Sequence, residues 1–161
     1  YEILADNTVE ELKHIHAVYD LAKEQGDITD SSYEALEKRW NDENTERSEK
    51  VEKGEVIYGL KEYTFQLYLD YEISTLKEKY CNDTNREGMK LTEDEIQEHY
   101  QSREWIFGDS DENADLEMAR IAVERELREQ KYDDMITQRE TDSQVAGNME
   151  NVNRITLKNI Q

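Results

Sequence analysis

The sequence predicts a mainly α-helical fold, a single domain of about five helices around one central aromatic helix. Three observations carry that reading. No proline occurs in 161 residues, and apolar residues recur at steps of three and four along most of the chain. The third is residues 55–80, EVIYGLKEYTFQLYLDYEISTLKEKY, which gather the aromatic residues of an otherwise polar sequence. Within it Phe65, Leu69, Ile73, Leu76 and Tyr80 climb one helix face, with Leu67, Tyr68 and Tyr71 on adjoining positions. A stripe that wide needs more than one packing neighbour.

The other elements follow in order. Residues 1–5 are too short to classify, and Asn7 or Thr8 offers a side-chain oxygen to cap the first helix. Val9, Leu12, Ile15, Tyr19 and Ala22 then repeat at helical spacing up to Gly26, a C-terminal stop. Asp30 or Ser31 caps a second helix that buries Tyr33, Leu36 and Trp40 and continues, almost wholly polar, to Gly54. Residues 55–58 read as a short extended piece, and Gly59 as the turn before the central helix. After a polar loop at 82–90, Thr92 and Glu95 form a T-x-x-E capping box for a short helix carrying Ile96 and Tyr100. Trp105, Ile106 and Phe107 form an apolar cluster before an acidic turn. Leu116, Ala119, Val123 and Leu127 open a long helix that runs past Tyr132 and Ile136 toward Arg139. Residues 141–151 are expected to be loose, and the alternation in 152–160 predicts a short strand paired with 55–58 or 1–4.

Composition limits the partners. A formal charge of −20 repels phosphate backbones and anionic membrane surfaces, so no nucleic acid is expected. A basic or mixed-charge protein is accepted more readily. The one cysteine, Cys81, excludes an internal disulfide, and no run is long enough to span a membrane. The chain opens on tyrosine, which leads to the expectation of a trimmed or mature piece with room for a lipid or membrane anchor ahead of Tyr1.

No catalytic or metal-binding constellation emerges, and neither a metal nor a cofactor is expected. His14 and His16 stand two apart, on different faces of a helix, and His99 has no ligand partner at a suitable spacing. Asp109, Asp111, Asn113 and Asp115 imitate the start of a calcium loop. Ala114 stands where such a loop needs glycine and Arg120 where it needs glutamate, so an acidic turn that caps the last helix is the better account. Cys81 lacks a C-x-x-C partner and reads as an inert thiol. The chain is therefore expected not to be an enzyme.

The run LTEDEIQEHYQS at 91–102, the block with Asn44 and Arg47 in N-x-x-R, the K-G-E-V-I-Y-G turn at 53–59 and the aromatic helix through 63–71 together resemble the SurA N-terminal-like domain and PrsA-type foldases. The last helix is similar to the one by which such proteins return after their parvulin domain. The resemblance covers residues 29–140, and where that family inserts the parvulin unit this sequence has a short turn between Tyr100 and Leu116. It implies an extracytoplasmic, secreted or surface-anchored chaperone without isomerase activity.

On that reading an apolar groove holds unfolded or newly exported segments by burial, worth about 25 cal/mol per Å². The candidate client-binding residues are Trp40, Tyr63, Tyr68, Tyr71, Trp105 and Phe107, each with core packing as its competing role. The alternative is a structural or assembly module that binds one specific protein or a second copy of itself, as a homodimer formed by exchange of helices or of the terminal strand.

Overall fold

In a computed structural model, which describes residues 2–109 and 111–143, the chain forms five α-helices. These are α1 (Glu2–Glu24), α2 (Tyr33–Glu52), α3 (Phe65–Asn82), α4 (Glu93–Gln101) and α5 (Leu116–Asp142). No strand occurs among the described residues, 55–58 included, and the strand expected at 152–160 lies outside the described residues.

The helix ends follow from local chemistry. α1 begins at Glu2, before the cap expected at Asn7 or Thr8: nothing in residues 2–8 breaks a helix, and an internal asparagine or threonine costs it little. It closes in a Schellman arrangement, in which Asp27 N–H reaches Ala22 O at 2.8 Å and Gly26 N–H reaches Lys23 O at 3.0 Å. α2 closes the same way, with Glu55 N–H on Lys50 O and Gly54 N–H on Val51 O. Both motifs require a left-handed residue, and Gly26 and Gly54 supply it at φ 75° and 72°. The α2 cap is Ser32 rather than Asp30 or Ser31; its hydroxyl accepts from Ala35 N–H, and the Asp30 carboxylate accepts from Ser32 N–H instead. Thr92 and Glu95 form the full capping box of α4. Asp115 accepts from Met118 N–H at 2.9 Å at the start of α5.

The described residues divide into two compact units, one of residues up to Leu76 with those from Arg139 on, the other Lys77–Gln138. The division falls inside α3 and inside α5. The first unit buries Val18, Tyr19 and Leu21 of α1, Leu36 of α2 and Tyr68, Leu69 and Leu76 of α3. Arg139 on the last part of α5 reaches Glu24 with both terminal nitrogens, and Glu140 accepts from or pairs with His14 Nδ1 at 2.7 Å. The second unit buries Ile96, Trp105, Ala114, Ala119 and Val123, with Leu91, Tyr100, Leu116 and Ala122 packed against them. Arg120–Glu93, Lys131–Glu95 and Arg103–Glu126 pairs stand at its exposed margins.

Candidate partner-binding surface

The first unit is organised about a buried carboxylate. Glu72 on α3 accepts from Tyr19 Oη at 2.6 Å, Tyr68 Oη at 2.9 Å, Arg39 Nε at 2.7 Å and Arg39 Nη2 at 3.1 Å. Four donors satisfy both oxygens, which is the condition under which a buried charge is tolerated. Burial first, and then the Glu72 carboxylate, push the Tyr19 and Tyr68 phenols well above the usual tyrosine range, so both stay protonated donors. This cluster ties α1, α2 and α3 together and leaves no oxygen aimed at a ligand.

Beside it, one face of α2 holds the connection to α3. Trp40, Asn44 and Arg47 stand at i, i+4 and i+7 and therefore project the same way. Trp40 Nε1 and Asn44 Nδ2 both donate to Tyr63 O, at 2.7 and 2.9 Å, and Asn44 Oδ1 accepts from Tyr63 N–H at 2.8 Å. Arg47 Nη1 donates to Tyr58 O at 3.0 Å and Leu60 O at 2.8 Å, while its Nε pairs with Glu43. Its guanidinium also lies 4.6 Å from the Tyr63 ring centre, and Tyr63 stacks on Tyr71 at 5.2 Å. The irregular backbone of 58–63 is thus fixed by side chains, whereas Val56, Tyr58 and Leu60 are 78, 87 and 47% exposed.

The structure separates the candidate residues by burial. Tyr63 and Tyr68 are buried and engaged as above, Trp40 is half-buried, and Tyr71 is exposed. Trp40 and Phe65 meet edge to face at 5.6 Å, lining with Glu62, Tyr63 and Thr64 an open depression of about 450 Å³. Tyr63 precedes α3 instead of lying within it. In the second unit Trp105 is buried: its Nε1 donates to Tyr100 O, its N–H to Asn113 Oδ1, and its carbonyl accepts from Ala114 N–H. Phe107 next to it is exposed. The folded chain therefore offers Tyr71 and Phe107, with part of Trp40, and keeps Tyr63, Tyr68 and Trp105 inside.

Sequence reasoning passed over Val56, Tyr58 and Leu60. Their alternation is visible in the sequence, but it reads equally as the short extended piece expected at 55–58. Among the described residues no group of three or more His, Cys, Asp or Glu is placed to hold a metal ion. Asn113 and Asp115 of the acidic turn spend side-chain oxygens on Trp105 N–H and on the α5 cap. No described helix is long and apolar enough to cross a membrane.

A chaperone for lacto-N-biosidase from Bifidobacterium longum subsp. longum is 31% identical over 136 residues, 84% of this chain. The chain spans 49% of that protein's length. Crystal structures of the GH136 lacto-N-biosidase from Eubacterium ramulus, of the native protein and a selenomethionine derivative, share the fold. Each superposes with a TM-score of 0.65 and 18% identity, covering 88% of this chain and 28% of the enzyme chain. No protein-family model matches.

These findings overturn the resemblance to SurA and PrsA-type foldases. The motifs that carried it have local causes: K-G-E-V-I-Y-G is a helix C-cap followed by a pinned loop, and L-T-E-D-E is a capping box. Such devices recur wherever helices end and begin. The extracytoplasmic location drawn from that resemblance loses this support.

Proposed function

We propose that this chain is a non-catalytic chaperone dedicated to one glycoside hydrolase, an enzyme of the lacto-N-biosidase kind. The observation that carries the reading is the 31% identity, across 84% of the chain, with a chaperone for lacto-N-biosidase. The fold of a segment of a lacto-N-biosidase chain supports it further. A helical module that one enzyme carries in its own chain, and another receives from a separate protein, suits stoichiometric assistance to a single client. The chemistry agrees. Among the described residues three of the exposed large apolar side chains, Val56, Tyr58 and Leu60, fall within five positions of a chain with 37% charged residues, a surface better suited to one matching partner than to unfolded segments of every kind.

The test is co-expression of the lacto-N-biosidase-type hydrolase from the same genome, with and without this chain, alongside two unrelated aggregation-prone proteins. Soluble, active hydrolase is expected to rise at least several-fold, and the unrelated proteins to be unaffected. Equal protection of all three would make it a general holdase, and protection of none would end the chaperone reading.

A further inference from the structure

We propose that the loop between α2 and α3 grips the client: Val56, Tyr58 and Leu60, presented on a backbone fixed by Arg47, dock an apolar patch bordered by basic side chains on the hydrolase. This rests on the chaperone reading and adds the surface and the chemistry of its occupant.

A surface loop that nothing needs to hold is usually polar and free to move. This one is neither. Trp40, Asn44 and Arg47 spend their donors on the carbonyls of Tyr58, Leu60 and Tyr63, and Asn44 also accepts the Tyr63 amide. What the held backbone displays is three apolar side chains in five residues, 78, 87 and 47% exposed, in a chain with 37% charged residues. Fixing a loop in advance removes the ordering cost that would otherwise weaken binding. Tyrosine adds flat, stiff contact area with a hydrogen-bonding tip, the type of side chain that dominates recognition surfaces.

Charge selects the occupant. Arg47, Lys50 and Lys53 are each paired with the glutamate four residues earlier, Glu43, Glu46 and Glu49. Glu52, Glu55 and Glu62, which flank the exposed trio, form no ion pair among the described residues, and Lys61 is the one cation in the stretch left likewise. Arg47 and Lys50, which stand beside Val56 and Tyr58, are each spent on a glutamate, so the surroundings of the trio carry an excess of acid, on a chain of charge −20. A second copy would bring the same acidic rim and the same net charge, which disfavours self-association through this loop. A basic-bordered apolar patch on a protein is the complement, and a rigid loop suits a surface that is folded or nearly so.

The test measures binding of the refolded same-genome hydrolase to the full chain and to three variants, each checked for unchanged helicity and thermal midpoint. Val56→Ser/Tyr58→Ser/Leu60→Ser is expected to weaken binding at least tenfold. Glu52→Gln/Glu55→Gln/Glu62→Gln is expected to slow association severalfold and flatten its dependence on salt. Met118→Ser/Ile121→Ser, which changes the similarly exposed pair on α5, is expected to bind as the parent does. Parent-like binding by the first variant overturns the loop as the docking surface while leaving the chaperone reading standing, and so does an equal loss in the α5 variant. Failure of the unmodified chain to bind the hydrolase overturns both.

Discussion

Arg39 and Glu72 meet through two parallel contacts, Nε to Oε1 at 2.7 Å and Nη2 to Oε2 at 3.1 Å, with only 24 and 11% of their side chains exposed. A pair so enclosed is expensive to break from one side, because the survivor keeps its charge without a partner. Glu72→Ala is expected to cost about 3 kcal/mol in urea unfolding. Tyr19→Phe, which removes one donor to that carboxylate, is expected to cost about 1.5 kcal/mol. Replacing Arg39 and Glu72 together by Met and Leu is expected to restore much of the loss, and a double-mutant cycle checks it.

Arg47 governs the loop before α3. Arg47→Ala removes the donor to Tyr58 O and Leu60 O and is expected to cost about 1–2 kcal/mol. Amide hydrogen exchange should speed up in residues 58–63, while that of α4 stays as it was. Uniform acceleration across the chain would mean that Arg47 supports the whole fold rather than this segment.

Cys81 is buried, with its Sγ donating to Arg128 O at 3.8 Å, and burial pushes its thiol up to about 11. At pH 8 the native thiol should react with a disulfide reagent roughly 100-fold more slowly than in urea, since the thiolate is the reactive form. Fast native labelling would mean that the second unit opens readily.

Glu95 responds to acid. Its hydrogen bond from Lys131, and then those from Thr92, hold its carboxyl down to about 2, against an ordinary value of 4.5. A depressed carboxyl contributes stability that is present above its unfolded value and is lost as pH falls through the folded one. The second unit should therefore weaken between about pH 4.5 and pH 2, and Glu95→Gln should flatten the acid limb measured by far-ultraviolet circular dichroism. Thr92→Ala, tested at neutral pH, is expected to cost about 1 kcal/mol through the lost cap.

What the sequence disclosed was what neighbours along the chain decide. The stops at Gly26 and Gly54, the Thr92 capping box and the acidic turn ahead of α5 each depend on residues within about four positions, and each is present in the fold. The five-helix class follows from periodicity of the same range. What stayed hidden depends on partners far apart. Glu72 is one of 40 acidic residues until Tyr19 and Arg39, 53 and 33 positions away, reach it. The fate of the aromatics was hidden for the same reason: Tyr68 and Tyr71 lie three apart on one helix, yet one is buried and the other 41% exposed. The loop trio stayed hidden because the donors that hold it stand on the preceding helix and bond to carbonyls of its backbone, which leaves no mark on the loop's own pattern.

The two tryptophans of this chain fall one to each compact unit, Trp40 in the first and Trp105 in the second. Trp105 is fully enclosed with an arginine guanidinium 3.9 Å from its ring, whereas Trp40 sits half in solvent against Phe65. Their emission should differ in colour and in quenching, the enclosed indole bluer and harder for iodide to reach. The molecule thus carries its own pair of optical reporters. Trp40→Phe and Trp105→Phe yield two single-probe proteins, and melting each shows whether a client, on arrival, steadies one half of the chain or both.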